Sequence, residues 1–312
     1  LVEISDTAEF PLAGPGGEPV DLRRTFISNG ITLLPPMSVD EESWTFEVTV
    51  PVTGGRARTV RLSEGRPGYG VAGIAGDPPG PGERAEVLGT VRHVLRLDED
   101  LSEFYGFIAG DPELSWAATG AGRIVRSPTV FEEVVKTVCT TNCAWSATER
   151  MVGALVEHLG ARAPGAPESG PAGRAFPTPA AMAEAGEGFY RDVARAGYRG
   201  RYLMSLARSV AAGGLDLEAL GRAGPEELPD EEVARRLLAL PGVGPYAAAH
   251  IMMQLGRYSR LILDSWTRPT YARLAGVEAA EDQEIEEKFR RYGRYAGLAF
   301  WLYLTRDWLR EP

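Results

Sequence analysis

The sequence predicts an α+β protein, with an antiparallel β domain over residues 1–120 and an all-α body in two parts, 121–230 and 231–312. Three observations carry that prediction. Trp44 to Val52 (WTFEVTVPV) and Thr59 to Leu62 alternate β-branched and apolar residues with polar ones, the period of a half-buried strand. Beyond about residue 120 the apolar spacing becomes helical. Finally, Leu237 to Arg273 (LLALPGVGPYAAAHIMMQLGRYSRLILDSWTRPTYAR) reads as a helix, a hairpin and a helix, and then delivers an acidic residue, Asp264, from an apolar loop.

Taken in order, Asp21 to Leu34 is expected to be a further strand pair turning at Asn29-Gly30, and Gly54-Gly55 and the Pro/Gly-rich Arg66 to Pro81 are expected to break the sheet. Asp98 to Gly110 (DEDLSEFYGFIAG) shifts to helical spacing and is assigned to pack with the helical body. A helix from Val130 to Val138 is interrupted at Thr140-Thr141-Asn142, where side chains compete for backbone hydrogen bonds, and resumes from Ala144 to Leu159. Ala161 to Gly173, rich in Ala, Pro and Gly, reads as a mobile linker. Thr178 is placed to cap a short helix, and Gly197-Tyr198-Arg199 leads into a helix from Arg201 to Ala212. The first hairpin helix covers Glu231 to Leu240 and the second starts at Pro245; a helix then follows Asp264 through Ala275. Glu278 to Glu287 reads as a solvated helical face, and Tyr292 to Leu309 as aromatic-rich closing helices.

Composition narrows the function. Of 312 residues, 44% are hydrophobic and 24% charged, an ordinary globular balance. No apolar run approaches the ~18 residues of a membrane helix and no leader is visible, so the expectation is a cytoplasmic protein, monomeric and without a membrane partner. Cys139 and Cys143 are the only cysteines. Four residues apart on a helix they read as core or cleft thiols, and two thiols cannot hold a four-cysteine iron-sulfur cluster. Net charge is −10, which opposes nucleic-acid binding on its face, but the six arginines from Glu231 to Leu274 outweigh three acids there and leave +3. The acidic excess lies elsewhere, as in Asp98 to Glu103. His93, His158 and His250 are too scattered in pattern for a zinc site.

The hairpin itself suits a phosphate. Proline at the first turn of the second helix costs nothing, because the N–H it lacks has no partner there, and two glycines let a ligand approach the backbone. Free N–H groups then gather at the positive end of a helix dipole. With its LPGVG hairpin and following Asp264, the chain resembles the helix-hairpin-helix DNA glycosylases, in particular 8-oxoguanine glycosylases and inducible bacterial 3-methyladenine glycosylases. FEEVVKTVCTTNCAWSA (131–147), FPTPAAMA (176–183), AGYRGRYLMSLAR (196–208) and YGRYAGLAFWLYL (292–304) extend the resemblance over most of 126–312.

The resemblance implies an N-terminal β domain packed on a two-part helical body, and a partner in double-stranded DNA containing a damaged base. Asp264 would be the catalytic carboxylate. Asn142 would be the wedge that fills the gap left by an everted base, with helix capping as its alternative reading. Arg199 matches an arginine that contacts the orphaned base, although its companion is Ala147 here. Gly242 and Gly244 would grip a phosphate, and the carbonyls of Leu238, Leu240 and Val243 match positions that hold a Na+ or K+ in relatives. No other cofactor is implied. Tyr246, His250, Trp266, Phe300 and Trp301 would shape the base pocket.

Chemistry sharpens this. Breaking an N-glycosidic bond builds positive charge on the sugar, so a carboxylate fixed among Leu261, Ile262, Leu263 and Trp266 would stabilise it. The alternative for Asp264 is an N-cap. Relatives that also cut the backbone use a lysine two residues past the last hairpin glycine, and here that position is Tyr246. Only Lys136 and Lys288 exist, and Lys136 is expected to face solvent. The expectation is therefore a monofunctional enzyme that leaves an abasic site. Tyr246 and His250, four apart on one helix face, favour a cationic alkylated purine through stacking and cation-π attraction, at about 0.5 to 2 kcal/mol per contact. Phe300 stands where 8-oxoguanine enzymes have a glutamine. The rival readings are a bifunctional 8-oxoguanine enzyme and a lesion-binding protein without catalysis.

Overall fold

The computed structural model describes residues 3–309. Its N-terminal sheet has five strands, β1 (Ile4–Pro11), β2 (Met37–Asp40), β3 (Thr45–Val52), β4 (Arg56–Glu64) and β5 (Tyr69–Ala75). They run in the order β1-β5-β4-β3-β2, every pairing antiparallel. The alternating stretches at Trp44 and Thr59 form the centre of this sheet, Val48 facing Val60 and Phe46 facing Leu62. Val48, Val50, Val60 and Leu62 bury their side chains, as the period of two requires.

Two expectations for this domain fail. Asp21 to Leu34 is a helical turn, Leu22–Phe26, followed by a tighter one, Gly30–Leu33. Asp21 accepts from the Arg24 N–H and Asn29 from the Ile31 N–H, so the residues read as a strand start and a strand turn are caps. The Pro/Gly-rich segment after Arg66 contains strand β5. Its glycines make room for neighbours: a Cβ on Gly70 would lie 2.4 Å from the Phe10 ring. A helix that the sequence did not reveal, Pro81–Val94, lays Val87, Val91 and Val94 against the sheet.

The helical body begins with Ser102–Ile108, whose Phe104 ring packs tilted against Tyr295, centroids 5.1 Å apart, near the C-terminus. Val130–Thr140 is the helix that leads to the Asn142 loop, named the wedge helix after the role expected of that loop. Thr129 caps its Glu132 N–H, and Glu218 accepts from the N–H groups of Val130 and Phe131, so both side chains sit at the positive end of the dipole. Trp145–Leu159 follows after the predicted break. Residues 161–173 are fastened rather than loose: the Gly170 N–H donates to Glu157, and Ala163 packs with Ala57 of β4. Thr178 caps Pro179–Glu184, as predicted. Next come Arg199–Ala211, the hairpin helices Asp230–Leu238 and Pro245–Gln254, then Thr267–Ala275, Asp282–Phe289 and Ala296–Leu309. No helix among the described residues is long and apolar enough to cross a membrane.

Buried arginines tie the parts together. Arg96 donates to the carbonyls of Ile124, Met253 and Gln254; Met253 also accepts the Gly256 N–H, so in the last turn of the second hairpin helix it is the Gln254 carbonyl that Arg96 satisfies. Arg257, one of the six hairpin arginines, is buried against Asp230 and the Leu228 carbonyl.

Candidate active site

The hairpin turns where the sequence places it. Gly242 sits at φ 81°, a left-handed conformation, and a Cβ there would also lie 2.9 Å from Tyr202. Gly244 is different: nothing lies within 4 Å of where its Cβ would be. Its open side faces outward at the N-terminus of the Pro245–Gln254 helix, the geometry by which backbone N–H groups meet an anion. Of the three carbonyls considered for a cation, that of Leu240 accepts the Val243 N–H at 3.2 Å. Those of Leu238 and Val243 accept none of the turn hydrogen bonds among the described residues, so lone pairs remain for a monovalent ion.

The chain returns from the second hairpin helix through Tyr258 to Leu263 and lies directly on the C-terminal helix. Gly297 permits this approach, because a Cβ there would meet the Arg260 carbonyl at 2.2 Å, and its N–H donates to the Tyr258 carbonyl. Asp264 follows, half-buried. Its Oδ1 accepts from the N–H groups of Trp266 and Thr267 at 2.8 and 2.7 Å, while its own N–H donates to Thr267 Oγ1. The capping reading of Asp264 is therefore realised. It leaves the second oxygen, Oδ2, out of these bonds, and the carboxylate is held in one orientation.

Tyr246 and His250 stand four residues apart on the neighbouring helix, ring centroids 6.0 Å apart, and both feel the Asp264 charge. Burial lowers the His250 pKa to about 4, against a smaller opposing pull from Asp264, so the imidazole is neutral at pH 7. Its Nε2 has no hydrogen-bond partner. Burial raises the Tyr246 pKa, with the Asp264 charge adding to it, and the phenol meets Thr140 Oγ1 at 3.2 Å. That contact joins the hairpin helix to the end of the wedge helix. A groove of about 520 Å³ runs along Tyr246, Leu261, Leu263 and Arg268 beside the Asp264 loop.

Trp266, 40% exposed, stacks on Trp308 at 5.8 Å and 12° and tilts against Trp301 at 5.7 Å. Trp301 is buried and donates its Nε1 to the Ser28 carbonyl of the N-terminal domain. Phe300 does not line the site: at 1% exposure it is enclosed by Phe289 and Tyr271, so it supports the wall from behind. Sequence reading missed Trp308, 44% exposed, which continues the Trp266 surface into a cavity of about 340 Å³ with Trp44 and Ile27. The signal was present, since Trp301 and Trp308 are seven apart and share a helix face. The contribution of Trp44 and Ile27 depends on tertiary packing alone.

The wedge loop carries Asn142 at its tip, exposed, at φ 48°, a left-handed conformation that asparagine tolerates. Its amide donates to the Tyr198 hydroxyl, and Ala144, without a side-chain cap, starts the next helix. Asn142 is not a cap. Arg199 is 7% exposed and donates to the Thr141 carbonyl, so it fixes the wedge loop and does not reach outward to a base. Lys136 is also unlike the expectation. It is fully buried and ion-paired with Glu132 at 2.6 Å, away from solvent.

Most of the arginine excess in the hairpin segment is neutralised internally: Arg235 and Arg236 pair with Glu232, Arg268 with Asp282, and Arg273 with Asp307. Arg260 is exposed and enters none of the ion pairs found among the described residues.

No family model matches the sequence, and no curated protein matches it. Solved structures do. The 3-methyladenine DNA-glycosylase from Archaeoglobus fulgidus superposes with a TM-score of 0.74 at 20% identity, over 96% of this chain and 99% of that one. MBOgg1, solved with a low-affinity DNA ligand, gives 0.71 at 18% identity over 98% and 99%. The Clostridium acetobutylicum 8-oxoguanine glycosylase/lyase, in complex with dsDNA containing cytosine opposite 8-oxoG, gives 0.70 at 19% identity over 98% of each chain. Over nearly its whole length, the chain has the fold of these DNA glycosylases.

Proposed function

We propose that this protein is a DNA glycosylase of base excision repair, acting on double-stranded DNA and removing a damaged, alkylated purine without cutting the backbone. The observation that carries the reading is the carboxylate of Asp264, oriented by two backbone N–H groups, next to a phenol and a neutral imidazole at the place where an amine would be needed for lyase chemistry. Hydrolysis needs an anion beside a sugar that becomes cationic, and preorganised charge of this kind is worth about 3 to 4 kcal/mol in other enzymes. A Schiff base needs a desolvated, unprotonated amine. Lys136 is locked to Glu132, and Lys288 is tied to Glu113 at 3.0 Å.

In this reading the hairpin N–H groups at Gly242 and Gly244 hold a phosphate, with Na+ or K+ on the Leu238, Leu240 and Val243 carbonyls. Asn142 enters the duplex while Arg199 keeps its loop in place. The everted base lies among Tyr246, His250 and Trp266. A positively charged alkylpurine gains from those rings and from the nearby carboxylate, whereas a neutral oxidised guanine gains less. The protein works as a monomer in the cytoplasm. A duplex carrying an N-alkylated purine on a labelled strand tests this: strand scission is expected only after alkali, and no adduct with borohydride. Scission without alkali together with a trapped adduct would establish a lyase, and an intact base after prolonged incubation would leave a binding protein.

A further inference from the structure

A cavity of about 600 Å³ lies away from Asp264, between the start of the wedge helix and the far end of the second hairpin helix. Its volume falls in the ~300–1,000 Å³ range of small-molecule sites. Most of its wall is apolar, with Phe131 and Phe176 edge to face at 6.5 Å and Leu255 beside them. Gln254, which also lines it, is eight residues, or about 12 Å, along the helix from Tyr246.

The polar part of the wall is incomplete. Gln254 is 1% exposed, and neither its amide oxygen nor its nitrogen has a hydrogen-bond partner. Glu133 is equally enclosed; one carboxylate oxygen takes the Ser127 N–H, and Oε2 has none. The Ser127 hydroxyl is also unpartnered. Native interiors rarely leave such groups unmatched. The cations near them are engaged: Lys136 by Glu132, Arg126 by Asp98 and the His93 carbonyl, Arg222 by Asp216. His93, on the same wall, has its pKa lowered to about 4 by burial and then by Arg126, so it brings no charge at pH 7. One buried carboxylate oxygen and one amide oxygen lack donors, and the Gln254 nitrogen lacks an acceptor, beside two aromatic rings.

We propose that this cavity is a second ligand site, separate from the Asp264 site, and that it takes a small organic ammonium with an apolar body. The ammonium donates to Glu133 Oε2 and Gln254 Oε1, and the apolar body lies against Phe131, Phe176 and Leu255. An occupant would touch both the helix that ends at the wedge loop and the helix that begins at the phosphate hairpin.

Calorimetric titration of the full chain with benzylammonium chloride tests the assignment, with benzyl alcohol as the neutral counterpart. Saturable one-to-one binding of the ammonium is expected, and binding of the alcohol at least about tenfold weaker. Gln254→Leu and Glu133→Gln should each weaken the ammonium by a similar factor. Val210→Phe fills the cavity from a half-buried position without touching the charged groups, and should abolish binding while its melting temperature shows that it folds. Tyr246→Ala should bind as the parent does, since that ring belongs to the other site. No saturable heat, equal affinity for the alcohol, retained binding in Val210→Phe, or loss of binding in Tyr246→Ala would each overturn the proposal.

Discussion

At the residue scale, the backbone bonds that Asp264 accepts and the role proposed for its charge can be separated by substitution. One oxygen caps the helix from Thr267, and the proposed role uses the charge. Asparagine keeps a carbonyl oxygen for the same two N–H groups, so Asp264→Asn should unfold within about 0.5 kcal/mol of the parent, whereas Asp264→Ala should lose about 1 kcal/mol with the cap. Equal destabilisation of the two variants in urea would show that the charge, not the geometry, holds the loop. His250 offers a second test. Its folded pKa of about 4 lies below the ordinary 6.5, so between those values the unfolded chain binds a proton that the folded one refuses. The stability tied to the neutral ring is complete above about pH 6.5 and is lost as pH falls towards 4, by about 3 kcal/mol in all. Unfolding free energies at pH 7.5 and 4.5 should therefore converge for His250→Gln relative to the parent, and parallel losses would mean that the imidazole is not desolvated.

At the scale of elements, the two hairpin glycines differ in what surrounds them. Gly242 is needed by the fold, through its positive φ and the ring of Tyr202. Gly244 has open space on its outer side, so Gly244→Ala should change stability by no more than about 0.5 kcal/mol while it weakens DNA binding through the added methyl. Unchanged DNA affinity in a mobility-shift titration would remove the hairpin from the interface. Elements with a strong period were legible in the sequence: β3, β4, the wedge helix and its break, and both hairpin helices with Asp264 after them. Capping side chains misled at Asp21 and Asn29, because the same polar residues mark strand turns and helix starts. Strand β5 was hidden because glycine punctuates a sequence whether it ends a strand or clears space for Phe10. Arg199 and Lys136 were misplaced because burial of a charge depends on partners, the Thr141 carbonyl and Glu132, that no local pattern announces.

Across the whole molecule, charge is the feature that sets this chain apart from a simple DNA binder. With net −10 and most hairpin arginines paired to carboxylates, the proposed function requires that affinity for DNA come from the helix terminus, the Asn142 loop and the rings more than from counterion release. The logarithm of the binding constant should then fall with the logarithm of salt at a slope of about −2 to −4, one unit of about −0.9 per phosphate neutralised. A slope near −8 would mean that the internal ion pairs reopen towards DNA. In the proposed function, one oriented carboxylate drives base release. Single-turnover release of an N-alkylated purine from duplex DNA, measured for the parent and for Asp264→Asn at saturating enzyme, tests it most directly. A rate at least about a hundredfold lower is expected in the variant, about 2.7 kcal/mol, with DNA binding retained; equal rates for the two proteins would remove Asp264 from the chemistry.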